Sequence, residues 1–221
     1  MKVNLISYSQ PVGVKLCDTN AQDLIAYCAR VSNPSNQTNK ETSEKLVRYL
    51  IKEGHWSPLE MVSACLEIET TRDIARQILR HRSFSFQEFS QRYADPTQDL
   101  QFTTREARLQ DFKNRQNSIV TDDEYIKERW EEEQLRVTLA SQEAYRWAID
   151  NGIAKEQARA VLPEGNIMSR LYVNGTLRSW VHYIQLRSGH GTQQEHIDVA
   201  LACADALEPI FPMIKEFVND A

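Results

Sequence analysis

Long apolar runs, surplus positive charge, glycine-rich loops and paired cysteines are all missing from this sequence. No uninterrupted apolar stretch approaches the roughly 20 residues that a bilayer-spanning helix needs, which argues against a membrane anchor. Lysine and arginine number 26 against 31 aspartates and glutamates, a net charge of −5. Without cations to line a long phosphate track, a general nucleic-acid coat is disfavoured and any phosphate site must be local. Only 7 glycines and 7 prolines occur, with no low-complexity tract, so nothing reads as a disordered linker. No Gly-x-Gly-x-x-Gly follows a strand; Gly189-His190-Gly191 is too short to serve, so a dinucleotide would not sit on a Rossmann unit. The four cysteines, Cys17, Cys28, Cys65 and Cys203, are scattered with no Cys-x-x-Cys spacing. Met1-Lys2-Val3-Asn4 lacks the basic-then-apolar pattern of a secretory leader, and the expectation is a cytoplasmic protein with free thiols.

What is present is enough for one sizeable core. Val3 to Tyr8 alternates as a strand, and Asn20 can cap a helix to Arg30 that carries Leu24, Ile25 and Cys28. Leu46, Val47, Leu50 and Ile51 form the stripe of a second helix, capped by Thr42 or Ser43 and closed by Gly54. Val62 to Thr70 has the period-two pattern of a strand with one buried face, and a helix from Arg72 to about Leu79 delivers Arg80-His81-Arg82 at its end. An acidic helix from Asp122 to Asp150 suggests an arm lying over the sheet. Helices are expected over Lys155 to Val161, Thr176 to Arg187 and Gln193 to Asn219, the last interrupted at Pro209 and Pro212, with a short strand near Ile167 to Val173. The fold class is α+β: a single helix-dominated domain spanning 1–221, with a small mixed or antiparallel sheet.

The chemistry concentrates in Arg80-His81-Arg82-Ser83-Phe84-Ser85-Phe86-Gln87-Glu88-Phe89-Ser90-Gln91-Arg92. Guanidinium forks grip phosphate oxygens in pairs, hydroxyls and amides add neutral donors, and a carboxylate can accept from a sugar or a ring N–H. The phenylalanines could stack on a flat ring, or the segment could be a strand or loop with its polar face in water and its phenylalanines in the core. One reading is a protein that grips RNA phosphates or a nucleotide without catalysis, with Phe84 or Phe86 against bases; the acidic balance of the chain weighs against long nucleic acid. A helical scaffold without chemistry is a third reading.

Arg-His-Arg, seven residues, Ser, one residue, Arg resembles the signature of the flavin-dependent thymidylate synthases. Ala29-Arg30-Val31-Ser32, Gly54-His55-Trp56-Ser57-Pro58-Leu59-Glu60, Ala158-Arg159-Ala160-Val161-Leu162-Pro163 and Leu186-Arg187 resemble further segments of that family, in its order. The resemblance implies reductive methylation of dUMP to dTMP, with 5,10-methylenetetrahydrofolate as carbon donor and FAD, reduced by NADPH, as hydride carrier. It also implies a homotetramer whose sites draw on several subunits. Carried over by position, Ser57, Arg80, His81, Arg82, Glu88, Thr176, Arg178 and His182 would contact FAD. Gln77, Arg80, Glu88, Phe89, Ser90, Gln91, Arg92, Arg159 and Arg187 would bind dUMP. Thr176-Leu177-Arg178 and His182 depart from the family's common Asn-x-Arg and amide, and Thr176 is also a good helix cap.

The resemblance makes Arg187 the expected catalytic residue, since a guanidinium against O2, N3 and O4 of uracil favours the ring's ionised form; from the sequence alone, an arginine near a helix C-terminus equally suits the macrodipole. Ser90 is expected to bind rather than attack, since no Ser-His-Asp arrangement surrounds it. Cys28 and Cys65 are expected in the core. His190 could approach a flavin or stay in a loop. His182, His190, Glu195 and His196 lack the spacing of a metal site, and none is expected.

Overall fold

The computed structural model describes residues 1–13 and 19–219; Cys17, expected as a free thiol, lies outside them. Along the chain come β1 (Lys2–Tyr8), α1 (Ala21–Ala29), α2 (Ser43–Lys52), β2 (Ser63–Thr71), α3 (Arg72–Ile78), β3 (Ser85–Glu88), α4 (Pro96–Asp99), β4 (Arg108–Gln110) and β5 (Ser118–Val120). Then follow α5 (Glu124–Asp150), α6 (Lys155–Ala158), β6 (Met168–Thr176), α7 (Leu177–Arg187) and α8 (Gln194–Leu207). Short 3-10 turns cover Pro34–Asn36, Ser57–Met61, Arg159–Val161 and Pro212–Phe217.

Local chemistry explains most boundaries. Asn20 accepts from the Asp23 amide at 2.9 Å to start α1, and Thr176 accepts from the Ser179 amide at 3.3 Å to start α7, each satisfying an orphan donor of a helix end. Gly54, at φ 71°, ends α2 in the left-handed region where a side chain would be strained. Pro209 and Pro212 stop α8 from running on, and the chain closes in the 3-10 turn Pro212–Phe217.

Four strands form one antiparallel sheet in the order β1-β2-β6-β3. Leu66 opposite Val173 and Ile68 opposite Leu171 put the apolar residues on one face, and α1, α3, α7 and α8 contribute Ile25, Ile74, Trp180 and Val199 to the core against it. The Trp180 indole N–H, buried in that core, donates to the Ala64 carbonyl at 3.1 Å. The opposite face carries polar cross-strand pairs: Tyr172 donates to Glu67 at 2.7 Å, and Arg170 to Glu69 at 2.8 Å. Cys65 shares this polar side by strand alternation and is half-buried, as is Cys28. Neither belongs to the core as expected; among the described residues the core cysteine is Cys203, which is fully buried.

The helical arm also departs from expectation. α5 buries Gln134, Thr138, Ser141, Tyr145 and Ala148, a largely polar and small set that cannot cover an apolar sheet. It packs instead on α6 and the turn Arg159–Val161, where Tyr145, Ala148, Ala158, Leu162 and Ile167 make a second small cluster. β3 and the β4–β5 hairpin are strands that periodicity did not mark.

Two features of the core have measurable consequences. Gly175 faces Phe84, and a Cβ there would overlap Cδ1 and Cε1 of that ring. Gly175→Ala is expected to lower unfolding free energy by about 1–3 kcal/mol, the usual range for overpacking, with partial recovery on adding Phe84→Leu; chemical denaturation measures both. His196 is fully buried, and burial, with Arg187 and His81 nearby, holds its imidazole down from 6.5 to about 3. Its folded value is depressed, so its contribution is complete above about pH 6.5 and is lost as pH falls toward about 3. His81, held near 4, acts in the same direction. Thermal melts between pH 7 and pH 4 should therefore show a falling midpoint, and His196→Gln should flatten that fall.

Candidate active site

The Arg80 to Arg92 segment is shaped by what lies under it. α3 ends as Arg80 and His81 amides turn back onto Gln77 and Ile78 carbonyls at 3.3 and 3.0 Å. The Phe84 ring then enters the core, 4.6 Å from Trp180 and 5.9 Å from Tyr183 between centroids. β3 continues with Phe86 and Glu88 on the helix-covered side and Ser85 and Gln87 outward, paired with Val173, Leu171, Asn174 and Tyr172. Phe89 extends the ladder through its amide to Arg170 at 2.9 Å. The chain then turns at Ser90, whose hydroxyl accepts from the Arg92 amide at 3.4 Å. Among the described residues no imidazole or carboxylate hydrogen-bonds to Ser90, so nothing there activates it as a nucleophile.

Folding brings His81 and Arg187, 106 residues apart, into contact: the Arg187 Nε–H donates to His81 Nε2 at 2.9 Å. An acceptor nitrogen requires the neutral imidazole. Burial, then the charges of Arg187 and Arg80, push His81 down to about 4, which keeps it neutral. The Tyr183 ring stands edge-on to His81 at 5.0 Å. With Nε engaged, both terminal nitrogens of Arg187 are without a hydrogen-bond partner among the described residues, and partial burial gives that fork a stronger field than a solvated one. Arg80 and Arg82 are exposed and have no ion pair among the described residues.

Other expected site residues are tied down. Glu88 accepts from Ser169 Oγ at 2.9 Å and lies 3.4 Å from Arg72 and 4.0 Å from Arg76. Arg92 lies 3.6 Å from Glu156, whose carbonyl also accepts from Arg159 Nε at 3.3 Å, so α6 and the segment meet. Gln91 is buried, and its Nε2 has no partner. Gln77 donates to Gln193 at 2.9 Å.

The remaining residues gather elsewhere. Arg178 pairs with Glu60 at 2.6 Å, and the His182 ring lies 4.4 Å from Trp56, its imidazole pushed down by burial and then Arg178. At about 100° per residue, Arg187 projects roughly 180° around α7 from Arg178 and roughly 140° from His182. One chain therefore presents these residues to opposite sides. Ser57 lines a cleft of about 560 Å³ with Tyr27, Cys28, Ala29, Val31, Gln37, Pro58 and Met61, which joins two sequence blocks from distant parts of the chain. His190 is exposed in the turn between α7 and α8.

Several residues gained importance only in three dimensions. Buried Arg30 donates to the Asn39 carbonyl and, at 2.8 Å, to Thr42; it fastens the loop between α1 and α2. Tyr183, Gln193 and His196 surround Gln77 and the Arg187–His81 pair, and no local motif announces them. Cys203 lies near Tyr183, but complete burial pushes its thiol far up, so no thiolate is available there.

The chain matches the family model described as "Thymidylate synthase complementing protein" over residues 15–213. It is 48% identical over 219 residues, 99% of each chain, to the "Probable flavin-dependent thymidylate synthase" of Paramecium bursaria Chlorella virus 1. It is 46% identical over 215 residues, 97% of each chain, to the flavin-dependent thymidylate synthase of Synechocystis sp.. Among solved structures it resembles the UMP/dUMP methylase PolB from Streptomyces cacaoi bound with 5-Br dUMP, with TM-score 0.78 and 25% identity over 98% of this chain and 93% of that one. These matches place the chain in the thymidylate synthase complementing protein family, that of the flavin-dependent thymidylate synthases.

Proposed function

We propose that this protein converts dUMP to dTMP by reductive methylation, with FAD as resident cofactor, 5,10-methylenetetrahydrofolate as carbon donor and NADPH as reductant. The observation that carries the reading is Arg187: its Nε is held by a neutral His81 while its terminal fork is left for a ligand. Uracil accepts a carbon or hydride more readily as negative charge is drawn onto O2, N3 and O4. A fork positioned before the reaction stabilises that charge without reorganising at the moment it develops. His81 holds the fork in place and, being neutral, adds no competing positive charge.

The donors present suit a flavin and a nucleotide. Among the described residues Arg80 and Arg82 have no ion partner and the buried Gln91 amide N–H has no acceptor, a costly state that a ligand oxygen would relieve. Arg80, His81, Arg82, Ser57 and Glu88 would hold FAD, which when bound supplies hydride chemistry that no protein side chain can. Thr176, Arg178 and His182 would add contacts from the other side of α7. Gln77, Phe89, Ser90, Gln91, Arg92 and Arg159 would hold the phosphate and sugar of dUMP. Because Arg178 and His182 face away from Arg187, a complete site needs residues from more than one subunit, in keeping with a homotetramer.

Purified protein supplied with FAD should show a flavin spectrum that dUMP perturbs; failure to take up flavin would sink the reading. Arg187→Ala should keep the flavin colour and lose about 10²–10³-fold in kcat, the range for removing one preorganised charge stabiliser. Full turnover by that variant would remove Arg187 from the site. Shared sites make a further prediction: Arg178→Ala and Arg187→Ala subunits, each nearly inactive, should regain partial activity when dissociated and reassembled together. Mixtures no more active than either parent would count against composite sites.

A further inference from the structure

Behind Gln77 runs a chain of hydrogen bonds joining five side chains from three helices. Glu195 is its terminus: it accepts from Gln193 Nε2 at 2.8 Å and from Arg108 Nη2. Gln193 Oε1 accepts from Gln77 Nε2 at 2.9 Å. Gln77 Oε1 lies 3.2 Å from His196 Nδ1, and His196 Nε2 lies 3.1 Å from the Tyr183 hydroxyl.

We propose that Glu195, acting through Gln193, is a positioning residue that fixes which way the Gln77 carboxamide faces the substrate, with His196 and Tyr183 completing the same one-way chain. The inference rests on the reading that dUMP binds beside Gln77.

The direction of the whole chain follows from one acceptor-only group. A carboxylate cannot donate, so the nitrogen of Gln193 must face Glu195 and its oxygen must face Gln77. That oxygen requires the nitrogen of Gln77, which turns the Gln77 oxygen toward His196. The proton of His196 then belongs on Nδ1, and its bare Nε2 accepts from Tyr183. Reversing any amide would set oxygen against oxygen or N–H against N–H, and buried mismatches of that kind are costly. Bonds that all run one way also polarise one another.

The Gln77 amide is left with one N–H and one oxygen lone pair for a ligand, in a defined order. Arg108 holds Glu195 from β4 through an ion pair. At the other end Tyr183 lies one helical turn before Arg187 on α7 and edge-on to His81. The wiring therefore stops beneath the pair assigned to uracil. Burial keeps His196 uncharged across the neutral range, so the order of donors does not invert with ordinary changes of pH.

Glu195→Gln tests this directly, because the amide has the same shape but can donate as well as accept and no longer dictates the orientation of Gln193. Gln193→Leu breaks the chain while leaving Glu195 and Arg108 in place. With FAD-loaded protein and dUMP in a calorimeter, each variant should weaken dUMP binding about tenfold, the scale of one neutral hydrogen bond. The double variant should be no worse than either single one, since both cut the same wire. In turnover the defect should appear in KM more than in kcat. Fully additive losses, or losses that follow a lowered melting temperature in Glu195→Gln and are absent from Gln193→Leu, would show only a structural ion pair and overturn the proposal. Unchanged dUMP affinity in both variants would overturn it as well. If the unaltered protein fails to bind dUMP, the functional reading fails, and this inference with it.

Discussion

A segment crowded with charge keeps a fixed shape only if something uncharged anchors it, and here that anchor is the Phe84 ring against the bare backbone of Gly175. The ring sits among Trp180, Tyr183 and Phe86, so apolar packing holds the middle of the Arg80 to Arg92 segment. The flanking arginines remain in water, where their solvation is not lost. β3 adds ladder bonds to β6, and the same strand leads through the Thr176 cap into α7. The two arginine-bearing pieces of the site are thus mounted on one strand and one aromatic cluster.

Electrostatic cost shapes the remainder. Charge that is buried is compensated: Glu88 lies between Arg72, Arg76 and the Ser169 hydroxyl, and Glu195 is matched by Arg108. Imidazoles that are buried, His81 and His196, are neutral instead. Isolated charge in low dielectric is costly; among the described residues Arg80 and Arg82 at the exposed rim have no ion partner, and Arg187 keeps its terminal nitrogens open while its Nε is bonded to His81. Those are the places where an anionic ligand would complete the pairing.

Much of the architecture was legible in residue order because it depends on local rules. Ala64, Leu66 and Ile68 alternate because one face of β2 is buried; Gly54 and the late prolines mark ends because of backbone sterics; and the spaced Arg-His-Arg, Ser and Arg drew attention to the candidate site. β3 stayed open between strand and loop because four residues cannot establish a period, and the β4–β5 hairpin was hidden because its residues are largely exposed and need not alternate. α5 misled because its buried stripe, from Gln134 to Ala148, is more polar than parts of its exposed face, which includes Leu135, Leu139 and Trp147. Cys65 alternates with Glu67 and Glu69 on the polar side, and the expectation of a core place gave its apolar thiol more weight than its position. The Gln77 network could not be foreseen, since its members lie up to 119 residues apart and only tertiary packing joins them.

α7 carries Arg187 on one side and Arg178 with His182 on the other, and buries Trp180, Val181, Tyr183 and Ile184 in the core. A rigid rod with a functional group on each flank behaves as a lever. Because both sides belong to one helix, a roll of α7 that carried Arg187 one way would carry Arg178 and His182 the other.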